Sequence, residues 1–229
     1  MRVINAAQPI RIVDAKTTAS LLAKVLWITT AAFLFTAVGA YLSPALLGGG
    51  LSIGLFLVTF GLIFAVNIFS RTSPGLALVL FYGFALLMGI EVGPLIKMYL
   101  HTPNGVSIVF NAALTTTLGM GVMAAVAQVA RFDYQRVGRM AFWALIALCL
   151  VGLLGMFVHV VSPGLYAWAT LGIFSVLLVV DFMRLRDNAY GYTPVQMALS
   201  IYLDALNIFI ALLQIFGNGG GRRRDGGWS

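Results

Sequence analysis

Charged residues are scarce in this sequence, and their scarcity excludes an ordinary soluble fold. Only 9% of the 229 residues are charged, while 61% are hydrophobic. A typical soluble domain has roughly 25% charged residues. A soluble protein of this length could not bury so much apolar surface, so lipid must solvate a large part of the chain.

Cysteine and histidine are also rare, which excludes several kinds of site. The sequence has one cysteine, Cys149, and two histidines, His101 and His159. A single thiol cannot form a disulfide framework or a thiolate metal site. The two histidines have no third ligand at a metal-binding spacing. We therefore expect no cofactor and no metal-dependent enzyme.

The basic residues outnumber the acidic ones, giving a formal net charge of +7. They lie in short clusters between apolar runs, as expected of topology signals that face anionic lipid. No folded basic face is available to carry nucleic acid. The sequence thus predicts the lipid bilayer, and not nucleic acid, as the surroundings of this protein.

Seven apolar runs are each long enough to cross a bilayer as a helix, which needs about 20 residues. The first twenty residues lack the apolar core and cleavage site of a signal peptide. The sequence predicts an all-α integral membrane protein with a polar tail at 1–20, a seven-helix domain at 21–217 and a flexible Gly/Arg tail at 218–229. The predicted spans are Leu21–Tyr41, Gly50–Ser70, Gly75–Lys97, Gly105–Ala130, Met140–Val160, Gly164–Met183 and Pro194–Phe216.

The placement of lysine and arginine indicates the orientation. With a cytoplasmic N-terminus, ten of the 14 basic residues face the cytoplasm. Three of the remaining four are Arg222, Arg223 and Arg224 in the C-terminal tail. The last helix either crosses fully or is re-entrant, and its length of roughly 33 Å favours crossing. The pattern predicts a multi-pass protein of a bacterial inner membrane; it leaves the oligomeric state unknown.

Three acidic residues lie within the predicted spans: Glu91, Asp181 and Asp204. A charge in the middle of a spanning helix costs at least about 2.5–3.5 kcal/mol, so such residues usually face a polar interior or an ion path. Pro94 is expected to break or kink the helix just after Glu91 and to free carbonyls that need a partner. Glu91 is therefore a supporting polar residue of a cavity, or else a partner of Lys97 near the outer surface.

The seventh run carries polar residues on one helical face. Ser200, Asp204, Asn207 and Gln214 are spaced by 4, 3 and 7 residues, which places them on the same side. Such a face must point into the bundle, so this helix is predicted to be central. For Asn207 and Gln214 the alternative role is hydrogen bonding between helices. For Asp204 a functional role is favoured over a structural one. An asparagine at this position could form hydrogen bonds between helices without the cost of burying an ionisable group.

Asp181 has two interpretations that the sequence leaves open. It could form an ion pair with Arg184, three residues on. Alternatively it faces Asp204, and two close carboxyls that share a proton would sense pH. The same carboxylates suit transient binding of calcium, which prefers oxygen ligands. Arg71 is either a membrane-surface anchor or a latch that binds an ionised aspartate and releases on protonation.

Several segments together resemble the Bax inhibitor-1 (transmembrane Bax inhibitor motif) family. They are Gly89–Leu95, the Val-Val-Asp181 that ends the sixth run, and Tyr202–Asn207 in the seventh. Thr116 is followed by Thr117-Leu118-Gly119, which departs from the family pattern in the fourth run. The resemblance implies two layers of three helices around a central seventh helix. It also implies a pH-sensitive calcium leak with Asp181 and Asp204 as sensor and Arg71 as latch.

Two other functions would depend on different features of the sequence. Some bacterial relatives in this family modulate a membrane-anchored AAA-type protease, and here such a role would depend on the tails and cytoplasmic loops. An intramembrane aspartyl protease is a third possibility, but Asp181 and Asp204 lack the Gly-x-Gly-Asp context of such enzymes. The sequence therefore favours a cation leak pathway, with protease modulation as the alternative and no enzyme activity expected.

Overall fold

The computed structural model describes residues 15–44, 49–155, 161–187 and 191–219. These residues form seven α-helices and no strand, and all seven helices are long and apolar enough to cross a membrane. The prediction of an all-α, seven-span membrane protein is confirmed. The helices are α1 (Ala15–Leu42), α2 (Gly49–Thr72), α3 (Pro74–Leu100), α4 (Gly105–Val129), α5 (Tyr134–Gly155), α6 (Pro163–Arg186) and α7 (Pro194–Gly219).

Several helices extend beyond the predicted apolar spans. The helix α1 begins at Ala15, inside the predicted N-terminal tail, and α7 continues to Gly219. Polar residues continue a helix at its ends because the membrane surface, unlike the bilayer core, solvates them. The outer parts of both predicted tails lie outside the described residues.

The start of α5 shows how a polar residue sets such a boundary. This helix begins at Tyr134, ahead of the predicted span, because Asp133 caps it. The Asp133 Oδ1 atom accepts hydrogen bonds from the backbone N–H groups of Gln135 and Arg136, both at 3.1 Å. The predicted end of the same span, residues 156–160 with His159, lies outside the described residues.

The helices form two groups of three with α7 between them. In one group α3 contacts both α1 and α2, and in the other α6 contacts both α4 and α5. The helix α7 packs against α1, α2, α3, α4 and α6. Of its apolar span 56% is buried, against 11% for α2 and for α4. The predicted central position of the seventh helix and its two flanking layers are therefore observed.

Large apolar side chains cover the outside of the bundle. Trp27, Phe56, Trp143 and Trp168 are each more than half exposed in the isolated chain. In water such a surface would be unfavourable, whereas in a bilayer these side chains contact lipid tails and headgroups. The exposed surface therefore supports the membrane assignment independently of helix length.

The close packing of α1 on α3 depends on glycine. A Cβ atom at Gly39 would overlap the Leu86 carbonyl oxygen, and one at Gly89 would overlap the Thr36 carbonyl oxygen. A Cβ at Gly93 would overlap the Ser43 side chain. These three positions let two helix backbones approach directly, as small residues commonly do in membranes.

Pro94 does not break α3, which runs on to Leu100. Proline lacks an N–H group, so the carbonyl of Ile90 loses its helical donor. The Ser43 hydroxyl on α1 donates to that carbonyl at 2.8 Å. The predicted freed carbonyl is thus present, and its partner is a side chain from the neighbouring helix and not a watery cavity.

Tyr202 anchors the middle of α7 to the first group of helices. Its side chain is fully buried, and its hydroxyl lies 2.7 Å from Thr36 Oγ1 on α1. The ring contacts the aromatic rings of Phe33, Phe81 and Phe84. This contact fixes the rotation of α7 two residues before Asp204.

Candidate functional site

Asp181 accepts a hydrogen bond at each of its two carboxylate oxygens. It lies near the end of α6 and is 7% exposed. Arg184 Nη1 donates to its Oδ1 atom at 2.8 Å, and the Ser200 hydroxyl of α7 donates to its Oδ2 atom. The ion pair that the sequence left as one alternative is therefore formed, and a polar contact to the seventh helix accompanies it.

Asp204 lies one helical turn beyond Ser200 on α7, and it is 6% exposed. Its Oδ2 atom is buried and has no hydrogen-bond partner among the residues that the structure describes. Asp204 thus follows, on the same face of α7, the serine that bonds Asp181. The second alternative, in which Asp181 faces Asp204 and the two carboxyls share a proton, stays a prediction.

We call Asp181, Arg184, Ser200 and Asp204 the aspartate cluster. It combines two buried carboxyls with one guanidinium whose side chain is 31% exposed. Buried charges are costly unless they are paired, and here one cation can balance only one carboxylate. With both carboxyls ionised, the cluster carries one net negative charge.

A cavity of about 180 Å³ borders the cluster between α2, α6 and α7. Asp181, Arg184 and Ser200 line it on one side. On another side Gln196 of α7 donates to the side-chain oxygen of Asn67 on α2 at 3.2 Å. The cavity therefore connects the cluster to the end of the bundle where α6 ends and α7 begins. Its lining residues are Ile63, Asn67, Asp181, Arg184, Tyr192, Gln196, Met197, Leu199, Ser200 and Leu203.

Arg71 does not contact the aspartates in this structure. Its Nη2 atom donates to the Gly191 carbonyl oxygen at 2.8 Å, in the connection between α6 and α7. The guanidinium beside Asp181 belongs to Arg184, because a residue three positions along the same helix is already within reach. The contact expected of Arg71 is thus made by Arg184, and a latch role for Arg71 stays a prediction.

The other predicted polar residues make no hydrogen bond to the cluster among the described residues. Asn207 donates to the Leu203 carbonyl of its own helix at 2.8 Å, and Gln214 is half-buried further along α7. Glu91 accepts a hydrogen bond at 3.0 Å from the Thr59 hydroxyl on α2. It does not pair with Lys97, whose ammonium donates to the backbone carbonyls of Tyr41 and Ser43. The structure therefore joins Asp181 to Ser200, with Asp204 one turn beyond that serine.

Sequence reasoning indicated Thr193 as the cap of the seventh helix but missed its partner, Gln196. The Thr193 hydroxyl accepts from the Gln196 N–H at 3.2 Å, and the Gln196 side chain accepts from the Thr193 N–H at 3.0 Å. This is a capping box, and the Thr-x-x-Gln spacing at the start of the seventh run is its sequence signal. The box fixes the start of α7 beside the cavity.

The described residues contain no group of three His, Cys, Asp or Glu side chains that could hold a metal ion. The oxygen ligands at the cluster are therefore two carboxylates and one hydroxyl. Calcium usually takes six to eight oxygen ligands. The cluster by itself therefore supplies fewer oxygen ligands than calcium usually takes.

The fold and the site define a multi-pass, all-α membrane protein with a buried carboxyl on each of its last two helices. The chain belongs to the family described as inhibitor of apoptosis-promoting Bax1, whose sequence model matches residues 18–221. The match covers most of the chain and includes all four residues of the aspartate cluster. The resemblance seen in the sequence is thereby confirmed.

Bacterial and viral proteins are similar to this chain. An uncharacterised protein of Helicobacter pylori is 34% identical over 152 residues, which are 65% of this chain and 64% of that protein. An uncharacterised protein of Campylobacter jejuni is 32% identical over 163 residues, 70% of this chain and 69% of that protein. A vaccinia virus protein named Golgi anti-apoptotic protein is 30% identical over 157 residues, 68% of this chain and 63% of that protein. The match thus spans slightly less than two thirds of the Helicobacter relative.

Proposed function

We propose that this protein is a pH-sensitive leak pathway for cations, with calcium as the preferred ion, and that the aspartate cluster is its gate. The observation that carries the proposal is the buried Asp204 carboxyl, whose Oδ2 atom has no described partner although it lies beside the Asp181–Arg184 ion pair. A purely structural carboxyl at this depth would be expected to have its hydrogen bonds satisfied. A titrating carboxyl must leave room for the incoming proton or cation.

The Asp181–Arg184 ion pair acts as the latch in this proposal. While Asp181 is ionised, Arg184 and Ser200 hold both of its oxygens, and Ser200 thereby ties α6 to α7. A proton on Asp181 removes the ionic attraction to Arg184 and weakens that tie. The two helices then separate at the cavity, and cation flux rises as the pH falls.

Asp204 sets the pH at which the latch releases. Its negative charge repels that of Asp181, because like charges in a poorly solvated site cannot both ionise cheaply. Removal of Asp204 therefore leaves Asp181 ionised down to a lower pH. Removal of Asp181 abolishes the latch. The two single variants are expected to shift flux in opposite directions.

Calcium efflux from proteoliposomes tests this function. The full chain is reconstituted, and flux is recorded at stepped pH for the parent, Asp181→Asn and Asp204→Asn. Asp187→Asn is the matched control, because this exposed acid pairs with Arg186 outside the cluster. We expect high, pH-independent flux for Asp181→Asn, low flux for Asp204→Asn and parental behaviour for the control. Flux no greater than in protein-free liposomes, or proton movement without calcium, would overturn the calcium pathway.

We also propose a bacterial inner membrane with the N-terminus in the cytoplasm. This orientation places the ends of α2, α4 and α6, with their arginines, on the cytoplasmic side. The alternative role, modulation of a membrane-anchored AAA-type protease, was predicted to depend on the tails and the cytoplasmic loops, and most of the tails lie outside the described residues. The leading proposal rests instead on the described cluster.

A further inference from the structure

A second cavity, of about 520 Å³, lies at the same end of the bundle as the aspartate cluster but does not include it. It is an open cavity bordered by α1, by the turn from α2 to α3, and by the start of α7. Two basic side chains line it, Lys24 from α1 and Arg71 from the last turn of α2. Two positively charged groups from different helices therefore line one cavity that opens to the surface.

No carboxylate among the described residues neutralises these two charges. The described ion pairs join Arg136 to Asp133, Arg184 to Asp181 and Arg186 to Asp187, all of them outside this cavity. Arg71 uses one of its N–H groups on the Gly191 carbonyl, and a guanidinium has five to offer. Within the described part of the chain, the cavity thus has positive charge without a carboxylate partner, and donors that make no described hydrogen bond.

Two helix starts add to this positive character. The helices α3 and α7 begin at Pro74 and Pro194, and both residues line the cavity. The N-terminal end of a helix carries a partial positive charge, which favours a phosphate or another anion. Ser73, which precedes α3, makes no side-chain capping hydrogen bond, so it does not compete for the first turn of that helix.

The other residues that line the cavity favour a lipid over a free ion as its ligand. Ile28 and Leu78 form an apolar part of the lining, and Tyr192 forms an exposed aromatic part. Tyrosine is enriched at the level of lipid headgroups. Basic pockets between membrane helices on that level bind anionic headgroups. We propose that this cavity binds the phosphate of an anionic phospholipid headgroup, with Lys24 and Arg71 as its ligands.

A titration of the full chain in non-ionic detergent tests the proposal by native mass spectrometry. The probes are phosphatidylglycerol, phosphatidylcholine and inorganic phosphate, each added to the parent and to variants. The double variant Lys24→Gln/Arg71→Gln removes both ligands, while Lys24→Gln alone keeps the Arg71–Gly191 contact in case the double variant does not fold. The control Arg136→Gln/Arg139→Gln makes the same charge change on α5, outside the cavity.

We expect the parent and the control to bind phosphatidylglycerol more tightly than phosphatidylcholine. Each basic ligand removed should weaken phosphatidylglycerol binding roughly fivefold. Equal affinity of the parent and both cavity variants would overturn the site. Binding of inorganic phosphate with no preference among the lipids would overturn the lipid as its source. Because this assay measures no flux, its outcome is separate from that of the proposed gate.

Discussion

Asp181 and Ser200 are joined across two helices by a hydrogen bond in which the Ser200 hydroxyl donates to Asp181 Oδ2. The bond sets the register of α7 against α6 at the cluster. Asp204 follows Ser200 one turn further along the same face of α7 and is likewise buried. The carboxyl pair thus follows from the packing of two helices and not from neighbouring positions in the sequence.

Arg184 is predicted to be the cationic half of the latch. The variant Arg184→Gln removes the cation 2.8 Å from Asp181, so the ion pair is lost at every pH. In the proteoliposome assay its flux should therefore be high and nearly independent of pH, as expected for Asp181→Asn. The control Arg186→Gln removes a cation from the same helix that instead bonds Asp187 and the carbonyls of Ala127 and Ala130. An equal rise of flux in both variants would indicate a general surface-charge effect and would contradict the latch.

The candidate site was predictable in part. Asp181 and Asp204 stand out because acidic residues are costly within apolar spans, and the 4-residue spacing to Ser200 places that hydroxyl on the same face as Asp204. The Asp181–Arg184 pair was predictable from its three-residue spacing on one helix. Whether Arg71 reaches Asp181 was not predictable, because that contact depends on how α2 packs against α6. The unpartnered Oδ2 atom of Asp204 likewise depends on packing that no sequence pattern specifies.

Gly89 is predicted to tolerate no side chain. In Gly89→Ala the added methyl group would overlap the backbone of α1 at Thr36, and helix backbones cannot move apart without loss of packing. The free energy of unfolding in detergent should fall by about 1–3 kcal/mol. Gly121→Ala on α4 is the control, since a Cβ there meets nothing within 4 Å. That control should change stability by no more than about 1 kcal/mol, and equal losses would contradict the close approach of α1 and α3.

Ser43 and Pro94 are predicted to be energetically coupled. Ser43→Ala leaves the Ile90 carbonyl without a donor and should cost about 1–2 kcal/mol of unfolding free energy. In a Pro94→Ala background the helix supplies its own N–H to that carbonyl, so the same serine change should cost less. The coupling energy from a double-mutant cycle is expected to be about 1 kcal/mol. Additive effects would show that Ser43 does not serve the carbonyl freed by proline.

The helices and the central position of the seventh could be predicted from the sequence, but the contacts that hold the helices together could not. Apolar runs located all seven helices, and the polar face of the seventh indicated its central position. The helix ends differed where polar residues continue or cap a helix, as Asp133 does for α5. The pairing of Tyr202 with Thr36, and of Ser43 with Ile90, depends on the rotation of one helix against another. The hydropathy pattern does not specify how one helix is rotated against another.

The most direct test of the account is a double-mutant cycle on the pH dependence of calcium efflux. The parent, Asp181→Asn, Asp204→Asn and the double variant are compared in identical proteoliposomes. If Asp181 is the latch and Asp204 acts only through it, the double variant should match Asp181→Asn, with high flux at every pH. A double variant that keeps the parental pH dependence, or that combines the two single effects additively, would contradict a gate formed by this carboxyl pair.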